Sequence, residues 1–259
     1  ALHRYGLTEL ITDADVLAKQ RPSQALVKAI VQFKHLMGSE VLAVARRIVA
    51  EVVDGLRASL ETQARPALYG PARPSGRPPI RTARNVDWHR TIRGNLKHYD
   101  GAQQRLVIDR VRYRHRSQQR SPWRIVLAVD QSGSMVDSLI HAAVMAAVFA
   151  GAPSTDVKLV LWDHRVVDLS HLADDPLEVL MSSQLGGGTR LLPALDYCAG
   201  FIEQPARTIL VVISDWYLAD DRGAVLARAR ALTEAGVKGI GLTALDADGR
   251  AVGDAGLAK

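Results

Sequence analysis

Arg124-Ile125-Val126-Leu127-Ala128-Val129-Asp130-Gln131-Ser132-Gly133-Ser134-Met135 decides the fold of this chain. Six residues dominated by Ile, Val, Leu and Ala read as a strand buried on both faces, the signature of a parallel sheet. The apolar run stops abruptly at Asp130. One acid and two hydroxyls then stand at every second position, Asp130, Ser132 and Ser134. Oxygen donors with a single carboxylate suit a hard divalent cation such as Mg2+. Asp130 and Ser132 could equally cap the helix that follows, because Asp and Ser favour N-caps. The two roles are compatible.

Working outward, the pattern alternates strand and helix. Strands are predicted at 124–129, 157–162, 166–169, 208–213 and 239–245, and helices at 135–150, 176–184, 191–202 and 221–235. Apolar strands joined by helices imply an α/β sheet covered on both faces. Strand 166–169 follows its neighbour too closely for a crossover and should form a hairpin, giving one antiparallel edge strand. Ligands of such sheets bind beyond the carboxyl ends of the strands. Two further segments carry oxygen donors: Gly186-Gly187-Gly188-Thr189, whose Thr follows a glycine run, and Ile213-Ser214-Asp215, at such an end.

These three segments, in this order, resemble the metal-ion-dependent adhesion site of von Willebrand factor A (VWA) domains, and the resemblance covers about 122–259. It implies a Rossmann-like, doubly wound, mostly parallel sheet with one antiparallel edge strand. It implies a metal site of Asp130, Ser132, Ser134, Thr189 and Asp215, with hydroxyls from Ser132, Ser134 and Thr189 and the two aspartates acting directly or through water. Mg2+ is the expected cation, with Mn2+ or Ca2+ admissible on the same oxygen chemistry. The open metal position would take an acidic side chain from a protein partner. Asp87-Trp88-His89-Arg90-Thr91-Ile92-Arg93 and Asn95-Leu96, followed by Asp130-Gln131-Ser132-Gly133-Ser134-Met135 and Gln184-Leu185-Gly186-Gly187-Gly188-Thr189, are similar to the CoxE-like bacterial group. That group implies an adaptor working with a MoxR-type AAA+ ATPase. The family fold would continue after Leu245 with another helix and strand, so the last part of the domain is expected to be incomplete.

The chain divides by charge. Residues 65–124 hold 15 Lys+Arg against 3 Asp+Glu, while 125–259 hold 10 against 17, so the overall +6 hides a basic segment before an acidic domain. Three regions follow: a helical N-terminal region, 1–64, a basic Pro/Arg-rich linker and docking segment, 65–121, and the α/β domain, 122–259. In the first, apolar spacing of three and four over 23–36 and 40–60, with Met37-Gly38-Ser39 between, predicts two antiparallel amphipathic helices. Pro66, Pro71, Pro74, Pro78 and Pro79 argue against regular helix over 65–85. A short helix is expected over 87–97 and a strand over 106–114, with Trp88, Leu96, Leu106 and Ile108 as anchors.

Several chemistries are excluded or demoted. No Gly-x-x-x-x-Gly-Lys-Ser/Thr is present, so ATP hydrolysis by this chain is not expected. Ser134 lies between strand and helix, as a nucleophile elbow does, but Gly-x-Ser-x-Gly is missing, and neither His141 nor His164 is placed as its base. A metallohydrolase would want more carboxylates or histidines. The expectation is therefore a binding protein, not an enzyme. The rival function is nucleic-acid binding through the basic segment, in the manner of Ro-like VWA proteins, with Arg110, Arg112, Arg114 and Arg116 as contacts. The single cysteine, Cys198, is expected in the core and rules out an internal disulfide. With no run of about 18 consecutive apolar residues, no membrane span is expected, and the localisation is read as cytoplasmic.

Overall fold

The computed structural model describes residues 12–69, 86–101, 103–113, 123–153, 155–245 and 251–252. In chain order the helices and strands are α1 (Ala14–Ala18), α2 (Gln24–Phe33), α3 (Ser39–Tyr69), α4 (Trp88–Asn95), β1 (Tyr99–Asp100), β2 (Arg105–Leu106), β3 (Trp123–Asp130), α5 (Val136–Ala150), β4 (Thr155–Trp162), β5 (Val166–Asp168), α6 (Pro176–Ser182), α7 (Leu191–Ala199), β6 (Thr208–Ser214), α8 (Arg222–Glu234), β7 (Lys238–Leu245) and β8 (Ala251–Val252). They form two compact units, one of 1–69 with 122–259 and one of 70–121.

The larger unit is built on a sheet of order β5-β4-β3-β6-β7-β8. β4, β3, β6 and β7 are parallel, and β5 pairs antiparallel with β4 as the hairpin reading requires. A second antiparallel edge strand, β8, pairs with β7 through Ala244↔Val252 and Leu245↔Ala251. Strand alternation sorts the core into two layers. Odd-numbered residues Ile125, Leu127, Val129, Leu159 and Leu161 face α5, α6 and the N-terminal helices. Even-numbered residues Val126, Ala128, Val160, Trp162, Leu210 and Val212 face α7 and α8, with Cys198 wholly buried among them.

The apolar stripes of α2 and α3 are covered by this same unit: Leu26, Val27, Ile30, Val31, Val41, Ala45, Val49 and Val53 belong to the first core layer. Polar locks sit at its rim. Lys28 pairs with Asp137 at 2.5 Å and Arg46 pairs with Glu178. Lys34 Nζ donates to the carbonyls of Leu180 and Met181 and to Ser183 Oγ. It thereby supplies donors to the C-terminus of α6, whose last carbonyls lack helical partners.

α5 explains a misleading feature of the sequence. The stretch Gly133–Ala150 is long and apolar enough to cross a membrane by length and composition, yet just over half of it is buried inside the fold. It is the helix most enclosed by the first layer, with nine buried residues from Val136 to Val148.

Two expectations for the preceding segments are corrected. α3 runs through Pro66 to Tyr69, five residues into the presumed linker. A proline in the last turn costs one intrahelical bond rather than interrupting a ladder that continues beyond it. Over the described residues of the 106–114 segment, up to Tyr113, there is no long strand: only Arg105–Leu106 pairs, with Tyr99–Asp100, and Tyr113 makes an isolated bridge to Val86. Nor do the expected anchors hold that unit, since Trp88, Leu96 and Ile108 are exposed, although Val86 is buried. Buried Thr91 and Asn95 hold it. Asn95 Nδ2 donates to the carbonyls of Thr91 and Arg110, and its Oδ1 accepts from the backbone of Asp109 and Arg110. One amide saturates four backbone groups, which a short segment with little apolar surface needs.

Candidate metal centre and its family

β3 and β6 are adjacent in the sheet, but the chain leaves them in opposite directions: β3 leads to β4 on one side, β6 to β7 on the other. This is the topological switch point at which a crevice opens between strand ends. The parallel register pairs Val129 with Ile213. The next step puts Asp130 beside Ser214, and the following turns carry Ser132, Ser134 and Asp215 to the same mouth.

Four of the five expected residues are tied together there. Ser134 Oγ donates to Asp215 Oδ2 at 2.9 Å, and Ser132 Oγ lies 3.2 Å from Ser134 Oγ. Asp130 Oδ1 accepts the Ser132 backbone N–H at 2.8 Å. Asp130 is wholly buried and Asp215 nearly so, whereas Ser134 is exposed, so the acids form the floor and the hydroxyls the lip. The fifth, Thr189, comes to the same end of the sheet by another route. Its Oγ1 donates to the Tyr217 carbonyl at 2.6 Å, and its own carbonyl accepts from Ala219 N at 2.8 Å. The glycine run is threaded beside the first loop by a parallel bridge between Ser132 and Gly186.

Burial raises the Asp130 carboxyl to about 6, and the charge of Asp215 adds to the rise; the Ser132 and Ser214 hydrogen bonds oppose it. Two carboxylates packed together with hydroxyls, and drawn from water, are an unfavourable arrangement on their own. All their free donor chemistry is hard oxygen. The residues present therefore fit an oxygen-preferring divalent cation. Among the described residues no group of three His, Cys, Asp or Glu side chains converges into a metal cluster, and this centre has only two acids.

Sequence reading missed two residues of this centre. Ser214 Oγ donates to Asp130 Oδ2 at 2.8 Å and accepts the Trp216 N–H at 3.0 Å. Trp216 itself has φ 64°, a conformation rare for a bulky residue, and its ring lies over Gly241, where a Cβ would stand 2.9 Å from Cζ2. The Ser-Asp pair at a strand end was a visible signal for Ser214; nothing local marks Trp216.

Asp163 both starts the β4–β5 turn and borders the glycine run. Its Oδ1 accepts the Arg165 N–H at 2.6 Å, its carbonyl accepts from Arg190 N, and a Cβ on Gly186 would fall 2.0 Å from its Oδ2. His164 Nδ1 lies 3.0 Å from the Gly187 carbonyl. His141 lines an apolar groove along α5 with Leu127, Met145, Ile213 and Leu242. Neither histidine hydrogen bonds Ser134, whose hydroxyl is engaged by Asp215 and Ser132.

The model of a family described as VWA domain containing CoxE-like protein matches residues 60–259. The chain belongs to that family. The VWA fold and the CoxE-like assignment thus stand on the match and on the sheet topology together. The uncharacterized protein YehP of Escherichia coli (strain K12) is 42% identical over 247 residues, 95% of this chain; the chain spans 65% of that relative's length. Among solved structures, an aerotolerance-related membrane protein from Bacteroides fragilis is 15% identical, covering 50% of this chain and 79% of its own, with a TM-score of 0.38. The hypothetical protein BatB from Bacteroides thetaiotaomicron is 14% identical, covering 52% and 82%, with a TM-score of 0.37.

Of the basic residues singled out as contacts, Arg110 is almost fully exposed with Asp109 at 3.8 Å, and Arg112 is pinned through its backbone to Thr91 Oγ1 at 2.9 Å. Arg114 and Arg116 lie outside the described residues.

Proposed function

We propose that this CoxE-like protein is a divalent-metal-dependent interaction adaptor, not an enzyme, and that it acts with a MoxR-type AAA+ ATPase to remodel or activate a target protein. The observation that carries this reading is the Asp130–Ser132–Ser134–Asp215 constellation at the switch point, with buried acids below and exposed hydroxyls above. Ser132, Ser134 and Thr189 would offer hydroxyl oxygens to Mg2+, and Asp130 and Asp215 would balance its charge directly or through water. When bound, Mg2+ supplies an open position for a carboxylate of the partner. Ser134 donates to Asp215 and, among the described residues, to no histidine, so no paired base of a serine hydrolase supports hydrolysis over binding. The ATPase partnership is supported by family membership alone.

Calorimetric titration of Mg2+ and Mn2+ into metal-free protein tests the centre, with Asp130→Ala alongside. Binding to the wild type that disappears in the variant is expected. Equal binding by a folded Asp130→Ala would sink the metal assignment. Capture of the ATPase by the wild type, lost in Asp130→Ala or in chelator, is the expected result for the partnership.

Nucleic-acid binding by the basic segment is the second reading, favoured by the exposed Arg110 guanidinium and the 15-to-3 charge excess over 65–124. Oligonucleotide affinity that falls steeply with salt would support it; affinity indifferent to salt and to Arg110→Ala would remove it.

A further inference from the structure

We infer that the partner presents more than one acidic side chain: one carboxylate for the metal centre and at least one more, received by Arg165 and Arg190 on the rim. This rests on the metal-dependent reading above and deepens it.

The acidic half of the chain carries a cationic edge on the loops that adjoin its own site. The β4–β5 turn and the glycine loop are fastened together: Arg190 N–H donates to the Asp163 carbonyl at 2.9 Å, His164 Nδ1 meets the Gly187 carbonyl at 3.0 Å, and Arg165 donates to Gln184 Oε1 at 3.4 Å. Thr189 lies in this assembly, immediately before Arg190. The exposed ionisable side chains on these two segments are His164, Arg165 and Arg190, and none of them is an acid. Their side chains are 52%, 53% and 62% exposed.

Each guanidinium is held only by a loose ion pair to a buried acid. Arg165 approaches Asp163 only to 4.0 Å and Arg190 approaches Asp220 only to 3.7 Å, both beyond hydrogen-bonding distance. Those two acids are themselves inside, at 0% and 5% side-chain exposure: Asp163 Oδ1 accepts the Arg165 N–H and lies 3.2 Å from His164 Nδ1, and Asp220 Oδ2 accepts the Leu192 N–H. Acids on the neighbouring segments are also engaged: Asp137 pairs with Lys28, and Asp221 caps α8 through Ala224 N. Exposed arginine forks beside a carboxylate-accepting centre suit a polyacidic segment, because a guanidinium holds a carboxylate by two parallel bonds and steers it from a distance. Tyr217, exposed and hydrogen-bonded through its carbonyl to Thr189, completes this rim.

The test uses two fluorescein-labelled, N-acetylated glycine-serine peptides, one with a single Asp and one with a Glu added on either side of it. Their affinities for the full chain are measured by anisotropy in Mg2+ and in EDTA. In Mg2+ the triacidic peptide is expected to bind about tenfold tighter at low salt. Each of Arg165→Gln and Arg190→Gln should reduce that advantage by up to about fivefold, the range of an exposed ion pair. The double variant should abolish it while calorimetric Mn2+ binding stays unchanged. Equal affinity of the two peptides for wild type, or an advantage that survives in the double variant, overturns the rim. Failure of the metal reading looks different: both peptides would bind as well in EDTA, or to Asp130→Ala, as in Mg2+. Absence of binding by either peptide to the Mg2+-loaded protein overturns both.

Discussion

Ser214 and Asp130 are joined across the two central strands, Oγ to Oδ2 at 2.8 Å, and the same hydroxyl accepts the Trp216 N–H. One small side chain therefore orients the buried acid of the centre and holds the strained turn that carries Asp215. Replacing it by alanine strands a buried carboxylate oxygen and a backbone donor together. Ser214→Ala should lower stability by about 1–3 kcal/mol in urea titration and weaken Mn2+ binding by roughly 10–100-fold, the usual effect of losing a partner that orients a ligand. A variant with unaltered Mn2+ affinity would show that Asp130 needs no such orientation.

Gly186 touches the other side of the mouth. A methyl group there meets Asp163 Oδ2 at 2.0 Å, and Asp163 is wholly buried with its Oδ1 committed to the turn. Gly186→Ala should cost about 1–3 kcal/mol, as overpacked interiors do, and should displace the Thr189 loop. Stability and Mn2+ affinity, measured together, should both fall; an unchanged melting temperature would show that the turn yields freely.

The raised Asp130 carboxyl gives a pH signature. The folded state holds this proton up to about 6, whereas an unfolded aspartate releases it near 4. Between those values the native state binds more protons than the unfolded one, so this group's contribution to stability falls as pH rises. Metal-free protein should show that decline in denaturant melts from about pH 4 to about pH 6, and Asp130→Asn should remove it. Protons compete with the cation for the same carboxylate, so apparent Mn2+ affinity should drop as pH falls below about 6.

The N-terminal helices share the core of the sheet. Ile30 is 1% exposed within the first layer. Ile30→Ala should destabilise by about 2–5 kcal/mol, and the loss should be seen in one transition common to tryptophan emission and far-ultraviolet circular dichroism. Two separated transitions would show that α1–α3 fold independently of the sheet.

Much of the fold was legible because its signals are local. β3 was expected over 124–129 and spans Trp123–Asp130; α8 was expected over 221–235 and spans Arg222–Glu234, with Asp221 as its cap. Apolar runs, caps and glycines are read a few residues at a time. The reach of α3 past Pro66 was not legible, since a proline's cost depends on how much helix follows it. The polar core around Asn95 was hidden for a different reason: nothing in the sequence distinguishes an asparagine facing water from one facing four backbone groups.

By itself, the sequence determined the strand-helix alternation, the parallel class of the sheet, the charge division and the oxygen donors of Asp130, Ser132, Ser134, Thr189 and Asp215. The first three follow from side-chain chemistry and periodicity along single segments; the five oxygen donors stand as a set only through the resemblance of three separated segments to VWA domains. Only the tertiary structure decided that β3 and β6 lie side by side, that Ser214 bridges them to Asp130, that Trp216 rests on Gly241, and that Arg165 and Arg190 share a rim. Those relations join residues from 25 to more than 80 positions apart. They are settled by strand order and by the packing of the two core layers, which no single segment encodes.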